Sequence, residues 1–116
     1  MPRATTIARE YVRPVRGKVS AAGPSKKERD ANARLAAYCL ALSSPVRVRI
    51  LKLLLDEECV FGDLAKRIPL AQSTISQHLT ILKASGLISG ESNGQSTCYC
   101  VEHEAVKKMK AMINEL

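Results

Sequence analysis

A mainly α fold with a small β-hairpin is what this sequence predicts, and three stretches predict it. Between Gln72 and Ser85, the residues Ile75, Leu79 and Leu82 recur at i, i+4 and i+7, which puts one apolar stripe along a helix. Ahead of it, Asp63 to Ile68 is a short amphipathic segment closed by the Pro-containing break Ile68-Pro69-Leu70. Behind it, Gly86 stops the helix, Leu87-Ile88 start a strand, Ser92-Asn93-Gly94-Gln95 reads as a hairpin turn, and Thr97 to Val101 returns as a second strand. Helix, turn, helix, hairpin is the winged helix-turn-helix order.

The other elements follow from the same rules. Residues 1–24, with Pro2, Pro14, Gly17, Gly23 and Pro24, hold no sustained periodicity and read as a flexible leader; residues 25–116 form the folded domain. From Ser25 the composition turns to Lys, Glu, Arg and Ala, and a first helix of about four turns is expected, with Leu35, Cys39 and Leu42 on one face. Ser44-Pro45 supplies an N-cap and a proline at the first helical position, so Val46 to Leu55 is a second helix with Ile50, Leu51 and Leu54 inward. Asp56-Glu57-Glu58 ends that helix, and Cys59-Val60-Phe61 suits a brief strand pairing with Cys98-Tyr99-Cys100. Glu102 to Leu116 is a last helix, with Val106, Met109, Met112 or Ile113, and Leu116 spaced as an apolar stripe. The full order is two helices, a short strand, two helices, two strands and a final helix.

The totals set limits. A chain of 116 residues with 46% apolar content is one domain, and its four aromatic residues, Tyr11, Tyr38, Phe61 and Tyr99, leave an aliphatic core. No apolar run approaches the roughly 18 residues of a membrane span, and the Arg-rich start lacks the apolar segment of a secretory signal. A cytoplasmic protein whose four cysteines are thiols is expected. The net charge is +7, but residues 1–34 hold nine Lys/Arg against three Asp/Glu, leaving nine against eight for the rest. The basicity is therefore a tail, either a solubilising leader or an arm that lies along nucleic-acid phosphates. Apolar stripes on both the first and the last helix leave surface over once one core is made, which points to a two-fold homodimer through those helices.

Several spaced blocks agree with one family. Leu42-Ser43-Ser44-Pro45-Val46-Arg47-Val48-Arg49-Ile50-Leu51, Asp63-Leu64-Ala65, Gln72-Ser73-Thr74-Ile75-Ser76-Gln77-His78-Leu79 and Leu82-Lys83-Ala84-Ser85-Gly86-Leu87-Ile88 resemble the ArsR/SmtB family of bacterial metal-sensing repressors. The likeness spans about residues 35–102. It implies a dimeric winged helix that occupies double-stranded operator DNA and leaves it when an inducer binds, commonly a toxic metal or metalloid ion.

The helix face opposite the apolar stripe suits a major groove. Gln bonds an adenine edge in bidentate fashion, Ser and Thr donate or accept at base or phosphate, and a Thr methyl meets a thymine methyl. Gln72, Ser73, Thr74, Ser76, Gln77 and His78 are the expected contacting set, with His78 alternatively a hydrogen-bonder to the preceding turn. The resemblance leads one to expect Arg or Lys in the wing, but Glu91, Ser92, Asn93, Gly94 and Gln95 offer none, and no cation lies between Lys83 and Lys107. Phosphate contact then falls to Lys66, Arg67, Lys83, hydroxyls, backbone amides or the leader.

Cys98 and Cys100 stand two apart on one strand, so their thiols share a face, and Cys59 lies on the neighbouring strand. Three thiolates would suit a soft ion such as arsenite, antimonite or cadmium. Buried cysteines acting as small hydrophobes are the plain alternative. Strict alternation also leaves open whether Cys59 meets the other two without a bulge. The sites the resemblance implies do not transfer: Val60 and Gly62 stand where a Cys-x-Cys would precede Asp63-Leu64, and in the last helix Glu102, Glu104 and Glu115 accompany a lone His103. Only two histidines, and no Gly-rich phosphate loop, argue against an enzyme. Three readings remain: a repressor released by a thiophilic ion, a repressor responding to thiol oxidation or sulfane sulfur at Cys98, Cys100 or Cys59, and a dimeric protein-interaction module.

Overall fold

A computed structural model describes residues 23–57, 59–61, 64–92, 94 and 97–116, and of residues 59, 61 and 65 the backbone alone. The leader before Gly23 lies outside the described residues. Helix α1 runs Lys26–Ala41 and α2 Pro45–Glu57; strand β1 is Cys59–Phe61; a single 3-10 turn covers Leu64–Lys66; α3 is Gln72–Ser85; β2 is Ile88–Ser92 and β3 Thr97–Val101; α4 is His103–Asn114. The winged helix-turn-helix order holds throughout.

Local chemistry sets the element ends. The Ser25 hydroxyl accepts from the Glu28 amide at 3.1 Å and caps α1. The Ser44 hydroxyl sits 3.4 Å from the Arg47 amide at the start of α2, where Pro45 holds the first helical position. Gly86 takes a left-handed φ of 87°, which glycine adopts without the strain a side chain would bring, and its N–H bonds the Lys83 carbonyl at 3.0 Å, so α3 ends there.

The three-stranded antiparallel sheet has the order β1-β3-β2. Its register pairs Cys59 with Cys100, Val60 with Tyr99 and Phe61 with Cys98, and on the other side Ile88 with Val101 and Gly90 with Tyr99. Positions 59, 61, 98 and 100 therefore share one face, and the three cysteine positions come together without a bulge. The opposite face turns Val60, Ile88 and Val101 into the core.

That core is aliphatic, with Tyr38 as the aromatic ring among the described buried residues. Ile50 and Leu54 from α2, Ile75, Leu79 and Leu82 from α3, and Val106 and Met109 from α4 meet Leu64, Ile68 and Leu87. Full burial of each large aliphatic side chain contributes on the order of 1.5–3 kcal/mol.

Two expectations need correction, and the last helix shows how its stripe is used. The first segment of the helix-turn-helix is one 3-10 turn, not an α-helix: Pro69 blocks extension at one end, and Leu64 and Ile68 are both buried by the shorter path. On α1 the buried residues are Tyr38 and Ala41, while Leu35 and Leu42 are half-buried and Cys39 is exposed, because α1 packs against α3 and α4 along the stripe one residue removed from the expected one. On α4 the apolar stripe divides: Val106 and Met109 are buried in the core, while Ile113 and, just beyond the helix, Leu116 are exposed, which is the apolar surface expected to be left over.

Candidate nucleic-acid interface and cysteine cluster

Helix α3 divides cleanly. Ile75, Leu79 and Leu82 anchor it to the core, which leaves Gln72, Ser73, Ser76 and Gln77 exposed together on the outer side, with Thr74 half-buried at the edge. No side chain caps its N-terminus: Ala71 occupies the N-cap in extended geometry. The first-turn amides thus face outward at the positive end of the helix dipole, where anions bind readily. Thr80, also on the polar side, spends its hydroxyl on the Ser76 carbonyl at 2.9 Å.

His78 differs from its neighbours. It is half-buried, and its Nδ1 lies 3.0 Å from Arg47 Nη1. Arg47 is only 7% exposed, although it is an arginine. Its Nε donates to the Ala41 carbonyl at 2.9 Å, and its Nη2 donates to the Leu40 carbonyl at 3.0 Å and the Ser43 hydroxyl at 3.1 Å. One guanidinium therefore closes the C-terminal end of α1 and reaches the outer helix α3. Sequence reading missed this residue, yet a signal was present: Arg47 falls on the inward stripe of α2 with Ile50, Leu51 and Leu54 at helical spacing.

Of the expected phosphate-contacting cations, Lys66 and Lys83 are exposed. Arg67 is engaged. It forms a two-pronged pair with the Glu57 carboxylate, Nη2 donating to Oε1 at 2.8 Å and Nη1 to Oε2. Those hydrogen bonds, more than the charge, hold the Glu57 carboxyl below its usual range and raise Arg67. In the wing, Glu91 and Ser92 are exposed; Asn93 and Gln95 lie outside the described residues, and Gly94 has a φ of 93°.

The sulfur atoms are gathered on the outer sheet face. Cys98 Sγ and Cys100 Sγ are 3.7 Å apart, both residues half-buried. Two thiolates on one tetrahedral ion with bonds of about 2.3 Å stand roughly that far apart, so Cys98 and a reduced Cys100 would have the spacing a soft ion needs. Cys98 is a free thiol, whereas Cys100 is disulfide-bonded, and Cys59 is its Cα partner across the ladder. Ion ligation at Cys100 therefore requires its reduction first. Cys39 is free and exposed on α1, away from this cluster. Among the described residues no group of three His, Cys, Asp or Glu side chains is assembled for a metal, and His103, Glu102, Glu104 and Glu115 are all exposed. No helix among the described residues is long and apolar enough to cross a membrane.

Comparison with known proteins agrees with this architecture. Residues 44–89 match the family model described as bacterial regulatory protein, arsR family. The chain is 34% identical over 93 residues to the nodulation protein NolR of Rhizobium meliloti, covering 80% of this chain and 75% of that one. It is 36% identical over 76 residues to the transcriptional activator HlyU of Vibrio cholerae, covering 66% and 70%. The crystal structure of NolR from Sinorhizobium fredii superimposes with a TM-score of 0.61 at 30% identity, covering 79% of this chain and 92% of that one. An extended match of this kind, on a chain that folds as a winged helix-turn-helix with a polar outer helix, establishes that the protein belongs to the ArsR/SmtB family of DNA-binding transcriptional regulators.

Proposed function

We propose that this regulator is a homodimeric repressor that leaves its operator when a thiophilic metal or metalloid ion of the arsenite or antimonite kind is held by Cys98, Cys100 and Cys59. The observation that carries the reading is the 3.7 Å approach of Cys98 Sγ to Cys100 Sγ on the strand that pairs with β1. A bound thiophilic ion would tie β3 to β1 at the entrance to the helix-turn-helix. The two recognition helices would then tilt relative to one another, and DNA affinity would fall by as much as the ion prefers the tilted state. Gln72, Ser73, Thr74, Ser76, Gln77 and His78 meet the major groove in this reading, with Lys66, Lys83 and the α3 amide end on phosphates. Arg67 joins them only when released from Glu57. The exposed apolar residues Leu40 on α1, Ile113 on α4 and Leu116 just beyond it support dimerisation through those helices. The basic leader, outside the described residues, adds phosphate contacts.

The test is fluorescence anisotropy of the reduced protein on a duplex from upstream of its own gene, with and without one equivalent of arsenite. Binding released by arsenite supports the reading, and loss of that response in Cys98→Ser locates it. Binding indifferent to arsenite overturns the ion as inducer. Because HlyU is described as an activator, a reporter fused to the same upstream region decides the sign of regulation.

A second reading has its own observation. The disulfide at Cys100 favours a thiol-redox repressor, in which two thiols surrender two protons and two electrons to a peroxide that leaves as water. Release by peroxide or polysulfide without any ion, reversed by dithiothreitol, would support it. A protein-interaction module would show no salt-dependent duplex binding at all.

A further inference from the structure

We infer that Arg47 is a positioning residue for DNA binding: it fixes the His78 imidazole as the Nε2–H tautomer and so presents that N–H as a hydrogen-bond donor to an acceptor on the duplex. The inference rests on the assignment of α3 as the helix that meets DNA.

The chemistry of the two groups dictates the tautomer. A guanidinium has only donors and stays protonated. Its Nη1 lies 3.0 Å from His78 Nδ1, so that nitrogen must accept and the ring proton must sit on Nε2. The two ring nitrogens point in divergent directions, so the Nε2–H is directed away from Arg47. His78 follows Gln77 and lies one turn beyond Thr74 on the same helix, and it is half-buried while Gln77 is exposed. It stands at the border between the anchored side of α3 and the open side.

The cost of this arrangement shows that Arg47 is not a filler. A charge buried to 7% exposure carries a desolvation penalty that Leu or Met would avoid. No ion pair among the described residues includes Arg47; its other partners are the Leu40 and Ala41 carbonyls and the Ser43 hydroxyl. Carbonyls at the C-terminal end of α1 carry the negative end of that helix dipole and partly offset the charge. Of the two N–H bonds left on Nη1, one is spent on the recognition helix. A lysine could not serve both, since it lacks the planar fork.

The experiment measures two things on the full chain at pH 8: the protonation of each His78 ring nitrogen by 15N NMR, and duplex affinity by anisotropy. It compares the parent protein with Arg47→Lys and His78→Asn, with circular dichroism confirming the fold of each. The parent is expected to show a proton on Nε2 and none on Nδ1. Arg47→Lys is expected to give mixed tautomers and roughly three- to tenfold weaker binding, the range of one neutral hydrogen bond. His78→Asn keeps an oxygen that can accept from Arg47 but has nothing in place of the Nε2–H, so binding falls by a similar factor while the melting temperature barely moves. A parent His78 protonated on Nδ1 overturns the tautomer assignment whatever the DNA result. If the parent binds DNA and both variants bind equally well, the positioning role is overturned. A parent that shows the Nε2–H tautomer yet binds no duplex sinks instead the assignment of α3 to DNA, and with it the donor role. Should Arg47→Lys fail to fold, the tautomer of the parent and the affinity of His78→Asn still decide.

Discussion

Gly90 and Tyr99 sit opposite one another on β2 and β3, and the tyrosine ring occupies the space a side chain at Gly90 would need. A Cβ built at Gly90 would lie 3.0 Å from Tyr99 Cε1 and 3.1 Å from Cδ1, with Lys83 Nζ at 3.5 Å. The missing side chain at Gly90 leaves room for the ring from the facing strand. Gly90→Ala is therefore expected to destabilise the protein by about 1 kcal/mol, as overpacking does when a rigid ring must move. Urea denaturation checks this, and Tyr99→Leu in the same chain should remove most of the penalty.

The two faces of α3 should separate stability from DNA binding. Leu82 is fully buried, so Leu82→Ala is expected to cost about 2–5 kcal/mol in stability. Gln77, exposed on the outer face, is expected to change stability by less than about 0.5 kcal/mol when replaced by Ala, while weakening operator affinity by about 1–3 kcal/mol if it reads a base. Denaturation and anisotropy on the two variants give the comparison.

The pair between Glu57 and Arg67 sets a pH dependence whose sign can be worked out. Hydrogen bonds from Arg67 lower the Glu57 carboxyl from its ordinary 4.5. A carboxyl lowered on folding contributes stability that is present above 4.5 and is lost as the pH falls through the lowered folded value. The Glu57 carboxyl carbon, followed by NMR during acidification, should titrate below 4.5, and Arg67→Gln should restore it towards that value. The contribution is small because both groups are solvent-exposed.

In the proposed reading the same pair keeps a cation back from DNA. In Glu57→Gln the Arg67 guanidinium is released, and one further phosphate contact is expected. Operator affinity should rise at low salt, and the slope of log affinity against log salt should steepen by about 1. An unchanged slope would mean that Arg67 lies out of reach of the backbone.

Much of this molecule was legible in the chain because its signals are local. Ile75, Leu79 and Leu82 declare the buried side of α3, Gly86 its end, and the Ser44-Pro45 pair the start of α2. The resemblance carried the family through blocks dense in such local signals. What escaped reading depends on distant partners. Arg67 looks like a free cation until Glu57, ten residues earlier, is placed beside it. Arg47 falls on the inward stripe of α2, but what holds a charge there becomes legible only once the C-terminal end of α1 and the side of α3 converge on it. On α1, Leu35, Cys39 and Leu42 have as good a helical spacing as Tyr38 and Ala41, and only the position of α3 and α4 decides which stripe goes inward. The cysteines were placed correctly on adjoining strands, but the register that aligns positions 59, 98 and 100 is a property of the pairing, not of either strand alone.

The ladder between β1 and β3 is three residues long on the β1 side, and every residue of the 3-10 turn, α3 and β2 lies in the chain between its two halves. Topologically, this part of the chain is a cassette whose entrance and exit meet at one short seam. In the proposed reading, a bond made or cut at that seam acts on both ends of the cassette at once.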